Sequence, residues 1–131
     1  MKPLEKPTAR VLVMRRQPIQ REEELVLARR YVLLGIIVRI LDHDIRVLHS
    51  SEAKLPKLYE TMLLGLQDRV LLELTALRKQ LRSKGIEMVE EKRSEDGLEA
   101  QYICRGYRHR FILLWGYIRS ESEQLLRTYC R

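Results

Sequence analysis

Glycine and proline are scarce in this chain of 131 residues, at six and four, and a fold made mostly of strands needs more turn residues than that. Long helices are the expectation instead. Aromatic residues are also few, with one Phe and one Trp, so the core has to be built of Leu, Ile and Val. The two cysteines, Cys104 and Cys130, have no zinc-type spacing and make no disulfide framework, which suits a reducing compartment. No apolar run reaches the roughly twenty residues that cross a bilayer. The greasiest stretch, 31–41, follows Arg29 and Arg30, contains Arg39 and gives way to Asp42-His43-Asp44. Lys2 and Lys6 precede no apolar core and no small-residue cleavage site, so no secretory signal is read at the N-terminus. The expectation is a cytoplasmic protein without a membrane partner.

Catalytic signatures are missing too. The chain has no glycine-rich phosphate loop, no Gly-x-Ser-x-Gly elbow and no His-x-x-x-His or Glu-x-x-His pair. Asp42, His43, Asp44, His49 and Glu52 gather metal-ligating types in a short span. Adjacent residues of a helix point apart, however, so they read as a charged, solvated helix end. Cys104 and His109 lie close in sequence without an orienting third group, and Cys104 reads as a buried, inert thiol. An enzyme is therefore not expected. Neither is a catalytic residue, a cofactor, a metal or a small-molecule substrate.

What is present is helical periodicity. Residues 1–18 carry Pro3, Pro7 and Pro18 and read as an extended N-terminal arm, with Met14 as a second candidate start that leaves the place of residues 1–13 open. A single domain is expected over 19–131. Its first helix opens near Arg21, where Glu22, Glu23 and Glu24 favour the positive end of the helix dipole. It runs to about Leu48, roughly 42 Å at about 1.5 Å per residue. Because 31–41 is apolar on every side, this helix belongs in the centre of the core. Pro56 opens a second helix, its core stripe running through Leu63, Leu66, Val70, Leu74, Leu77 and Leu81 to a stop at Gly85.

After Gly85 the period changes to two. Ile86, Met88 and Glu90 alternate with Glu87, Val89 and Glu91; a polar tract ends in Asp96-Gly97; then Leu98, Ala100, Tyr102 and Cys104 alternate with Glu99, Gln101, Ile103 and Arg105. This predicts one antiparallel β-hairpin at about 86–105. Gly106 is read as the hinge into a third helix from about Tyr107 to Thr128. On that helix Phe111, Leu114, Trp115 and Ile118 share a face, and Ser120-Glu121-Ser122-Glu123 solvates the other. The predicted fold class is α+β, mainly α: a three-helix assembly with a hairpin between helices two and three.

The net charge is +7, from 25 basic and 18 acidic residues. The excess sits in residues 1–30 and 78–110, the latter with nine basic and six acidic side chains. Lys92, Arg93, Arg105, Tyr107, Arg108 and Arg110 are the candidate contacts to a nucleic acid, with arginines for phosphates and Tyr107 for stacking. The Glu and Asp residues of the same stretch oppose a phosphate backbone, and cross-strand Arg–Glu pairs explain the pattern equally well. Leu81 through Ile86, Glu90-Glu91-Lys92-Arg93, Tyr102 through Tyr107 and Phe111 through Trp115 resemble short uncharacterised proteins of spore-forming Bacillales. The resemblance implies a Gram-positive cytoplasm and no site residues. Leu64, Leu71 and Leu72 add apolar positions off the main stripe, more than three helices cover. The expected function is that of a non-catalytic interaction or regulatory protein, a homo-oligomer or the binder of a protein partner. A nucleic-acid-binding regulator is the alternative.

Overall fold

The computed structural model describes residues 22–131, so the arm expected over 1–18 lies outside the described residues. The order is helix α1 (Glu22–His49), helix α2 (Pro56–Ser83), strands β1 (Ile86–Arg93), β2 (Gly97–Cys104) and β3 (Tyr107–Leu114), and helix α3 (Trp115–Tyr129). Helix α1 begins with its three glutamates, and the apolar stretch has partners on several sides, as its composition demands. Ile37, Leu34 and Val32 are sealed from solvent and Ile36 is 7% exposed. Only Arg39 leaves that stretch for the surface.

Helix α2 starts on Pro56 in its first turn and lies antiparallel to α1. The run of cross-links shows the direction: Arg30 bonds Glu73, Gln67 bonds the Val38 carbonyl and Asp42, and His49 meets Glu60. Val70, Leu74, Leu77 and Leu81 of the predicted stripe are buried against α1. Gly85, at φ 72°, takes the left-handed position just past the helix, and its N–H bonds the Arg82 carbonyl.

The hairpin and the third helix need correction. Residues 86–114 form a three-stranded antiparallel sheet in the order β1-β2-β3, and α3 starts at Trp115, eight residues later than expected. Arg105 and Gly106 both have positive φ, at 54° and 82°, and make a two-residue reversal instead of a hinge. In 107–114 the inward set is His109, Phe111 and Leu113, whereas Ile112 and Leu114 face outward and are exposed. Those two outward apolar residues blur the strand alternation and imitate a helical period, an ambiguity inherent to short apolar runs.

A second correction lies in β1. Met88 pairs with Tyr102 and Glu90 with Gln101, so Val89 is a one-residue bulge. Beyond it the faces exchange: Glu91 and Arg93, opposite Ala100 and Leu98, take the core side that simple alternation assigns to Glu90. The inner face of the sheet, carried by Leu98, Ala100, Tyr102, Cys104 and Leu113, packs into the core around α1. Helix α3 then docks by its far end, where the Tyr129 hydroxyl bonds Glu73 at 2.6 Å and Arg69 donates to the Tyr129 carbonyl at 2.7 Å.

Candidate functional site

The six side chains predicted to meet a nucleic acid are not brought to one surface. Lys92, Arg108 and Arg110 lie on the outer face of the sheet, in rows with Glu99, Ile103 and Gln101. Arg110 pairs with Glu99 at 3.2 Å and Arg108 donates to Gln101 at 2.8 Å. Arg93 is on the opposite side of β1, its guanidinium 4.8 Å from the centre of the Trp115 ring. Arg105 and Tyr107 sit at the far end of the sheet, where Arg105 is bound to Glu24.

The Glu24 contact marks a buried polar cluster. Glu24 is 4% exposed in the first turn of α1, and Arg105 reaches it across the turn between β2 and β3. The hydrogen bond that Arg105 donates to Glu24 is the largest influence on the Arg105 pKa, and it raises it. His109 is buried next to them, its ring centre 5.1 Å from that of Tyr102, and its Nε2 has no hydrogen-bond partner. Burial pushes the His109 imidazole below its ordinary range; Glu24 pulls it up and Arg105 pushes it down, with burial prevailing. His109 stands across from Tyr102, and Cys104 across from Tyr107, so the sheet register does not set the thiol opposite the imidazole. Asp42, His43 and His49 turn to Gln67, Asp44 and Glu60. Among the described residues no three His, Cys, Asp or Glu side chains are placed to hold a metal ion. No helix among them is long and apolar enough to cross a membrane.

Two further features come from the helices. Along the outward side of α2, Leu58, Met62, Gly65, Arg69, Leu72 and Ala76 follow at steps of four, three, four, three and four, and all six are exposed. That spacing is a heptad seam, the pattern by which one helix packs along another. Leu72 is 74% exposed and Met62 59%. Arg69, the one charge in the seam, is laid aside against α3, its guanidinium 4.4 Å from the centre of the Tyr129 ring. Leu64 and Leu71 are exposed on the flank of this line. The surplus leucines were legible as such, but the complete seam appears only when Gly65 and Ala76 are read as part of it.

The second feature is a cleft of about 730 Å³ between the C-terminal half of α1, the inward side of α2, α3 and the loop end of the sheet. Its floor is aliphatic, with Ile36, Leu41, Leu98 and Ile118, and Arg39, Arg93 and Arg119 stand on its rim. Ser122 also lines it; this residue is 5% exposed, contrary to the solvated role expected of 120–123, and its Oγ has no hydrogen-bond partner. It falls inward because it stands one turn after Ile118 on the buried side of α3. No single sequence signal marks this cleft, since its walls come from α1, α2, the sheet and α3.

No curated protein and no solved structure matches the chain. One family model, described as YhjD protein, matches residues 19–131, a span that takes in all three helices and all three strands; the chain belongs to the YhjD protein family.

Proposed function

We propose that this protein is a non-catalytic interaction or regulatory protein that self-associates through the outward seam of α2. The carrying observation is the exposed heptad line of Leu58, Met62, Gly65, Leu72 and Ala76. A second copy suits it because the line is complementary to its own reverse. In an antiparallel pairing about a two-fold axis near Gln67, Met62 meets Leu72 and Leu58 meets Ala76. Gly65, with open space where a Cβ would stand, leaves room for the stem of Arg69 of the partner subunit. Cys104 is buried and Cys130 exposed, and the two do not pair with each other, which suits the reducing cytoplasm that the resemblance implies.

The nucleic-acid alternative draws less support. Three of its six residues share the outer sheet face with Glu87, Glu90 and Glu99, and the others are spread between the opposite side and the far end. Sedimentation from micromolar to submillimolar concentration tests the main reading: the wild-type protein is expected to dimerise, and Leu72→Asp to remain a monomer with an unchanged circular dichroism spectrum. A wild-type protein that stays monomeric throughout overturns it. Salt-sensitive binding to duplex or single-stranded oligonucleotides by that monomer supports the alternative instead.

A further inference from the structure

We infer that the free edge of β3 docks an extended segment of another protein as an added antiparallel strand, aliphatic where it passes Ile112 and Leu114 and acidic where it passes Arg108. The sheet ends at β3. Cys104 and Tyr107 flank the two-residue reversal at Arg105 and Gly106, so they exchange backbone hydrogen bonds. Every second residue of β3 then does the same, namely His109, Phe111 and Leu113. The N–H and carbonyl groups of Arg108, Arg110 and Ile112 point the other way. Among the described residues nothing bonds them, and a row of such groups is a template for another strand.

The opposite edge of the sheet is guarded. Strand β1 carries the bulge at Val89 and five charged side chains among its eight residues, and Glu91 is tied to Arg39 of α1; bulges and charges both deter pairing. Strand β3 keeps an unbroken register with β2 and has no proline, lysine or bulge. Ile112 and Leu114 are exposed on its outer face. Their row continues through Arg110, which already bonds Glu99, to Arg108, which meets only the neutral Gln101. Side chains directly opposite one another across a strand pair interact most strongly. The incoming strand is therefore matched by aliphatic residues beside Ile112 and Leu114 and by a carboxylate beside Arg108. A second copy fits this edge less well, because an antiparallel β3 sets arginine opposite Ile112 and Leu114, or Arg110 opposite itself, where the carboxylate belongs. The edge shares no residue with the seam of α2, so either site can fail without the other.

The full chain is titrated with a synthetic peptide as long as β3, capped at both ends, with Val at the positions opposite Leu114 and Ile112, Thr opposite Arg110, Glu opposite Arg108 and Ser between them. Exchange of the protein's backbone amide hydrogens is followed by NMR. At saturation the amides of Arg108, Arg110 and Ile112 are expected to exchange at least about tenfold more slowly, with those of β1 unchanged. Two N-methylated forms of the peptide locate the contact. Methyl groups on the Val, Thr and Glu amides, which face β3, are expected to weaken binding more than about tenfold, and methyl groups on the Ser amides to leave it within about twofold. Ile112→Pro removes an outward N–H and no bond to β2, and is expected to weaken the peptide about tenfold. Arg108→Glu is expected to weaken it about threefold and to favour, by a similar factor, the peptide with Lys in place of Glu. Absence of saturable binding, protection that falls on β1 instead, equal loss for the two methylated forms, or equal affinity of the Glu and Lys peptides overturns the inference. Protection of the same three amides that grows with protein concentration and no peptide also overturns it, in favour of a second copy. The methylated pair needs no variant, so a misfolded Ile112→Pro does not blunt the test.

Discussion

At the scale of single residues, the chain places its costliest groups where the sheet turns back on itself. Arg105 adopts a left-handed backbone conformation that Asn or Gly takes more easily, at a cost of roughly 1 kcal/mol. The charge-assisted hydrogen bond that it donates to the buried Glu24 carboxylate explains why an arginine is held there. His109 lies beneath the same turn, among Glu24 of α1, Arg105 of the turn and Tyr102 of β2. Its folded-state pKa is depressed by burial, below the ordinary value of about 6.5. The unfolded chain therefore binds the proton more readily, and the stability contribution is present above about pH 6.5 and lost as pH falls toward the folded value. Urea unfolding between about pH 7.5 and about pH 5.5, above the range where most carboxylates titrate, is expected to show falling stability in the wild type. In His109→Gln the fall is expected to be shallower. Equal slopes in the two proteins would remove His109 from the account.

At the scale of elements, the tightest fit is between the start of β2 and the end of β3. Gly97 pairs with Leu114, and a Cβ at Gly97 overlaps the Leu113 carbonyl oxygen while standing 2.9 Å from Leu114 Cα. These are backbone atoms of a paired strand and cannot step aside as a flexible side chain does. Gly97→Ala is expected to cost about 3 kcal/mol in urea unfolding, although its chain neighbour Asp96 lies in an open loop. The Asp96-Gly97 dipeptide was legible as a turn signal, and so was the hairpin it closes. What the glycine serves, close contact with a third strand, was not, because β3 itself was hidden. Arg105-Gly106 lacks the Asn-Gly or Asp-Gly signature of a tight reversal, and the apolar residues of β3 occupy both faces. The two long helices were legible nearly to the residue, since Glu22-Glu23-Glu24, Pro56 and Gly85 each act through local chemistry. The cleft was hidden for the opposite reason: it depends on Ser122, Ile36 and Leu98 arriving from three elements, and Ser122 sits in a run that looks polar.

At the scale of the whole molecule, α1 uses up its apolar surface internally and α2 does not. Sheet, α2 and α3 together cover Val32 through Ile37, apart from half-buried Gly35. Leu58, Met62 and Leu72 remain outside, on a helix tied to its neighbours by Arg30–Glu73 at 2.5 Å and by Tyr129. A side chain as exposed as Leu72 contributes little to a lone copy, so Leu72→Asp changes monomer stability by less than about 0.5 kcal/mol. In a dimer the same substitution buries a charge in the seam. Stability and assembly are linked by mass action, because anything that binds only the folded state raises the unfolding midpoint as its concentration rises. With a second copy as the ligand, each tenfold increase in protein above the dissociation constant adds about 1.4 kcal/mol, or about 3 °C for an assembly of this size. Differential scanning calorimetry of the wild type over two decades of concentration is expected to show that climb. Leu72→Asp is expected to melt at one temperature throughout, close to that of the dilute wild type. A wild-type midpoint that ignores concentration would mean that the seam of α2 meets water in solution as well, and the exposed leucines would then need a different partner.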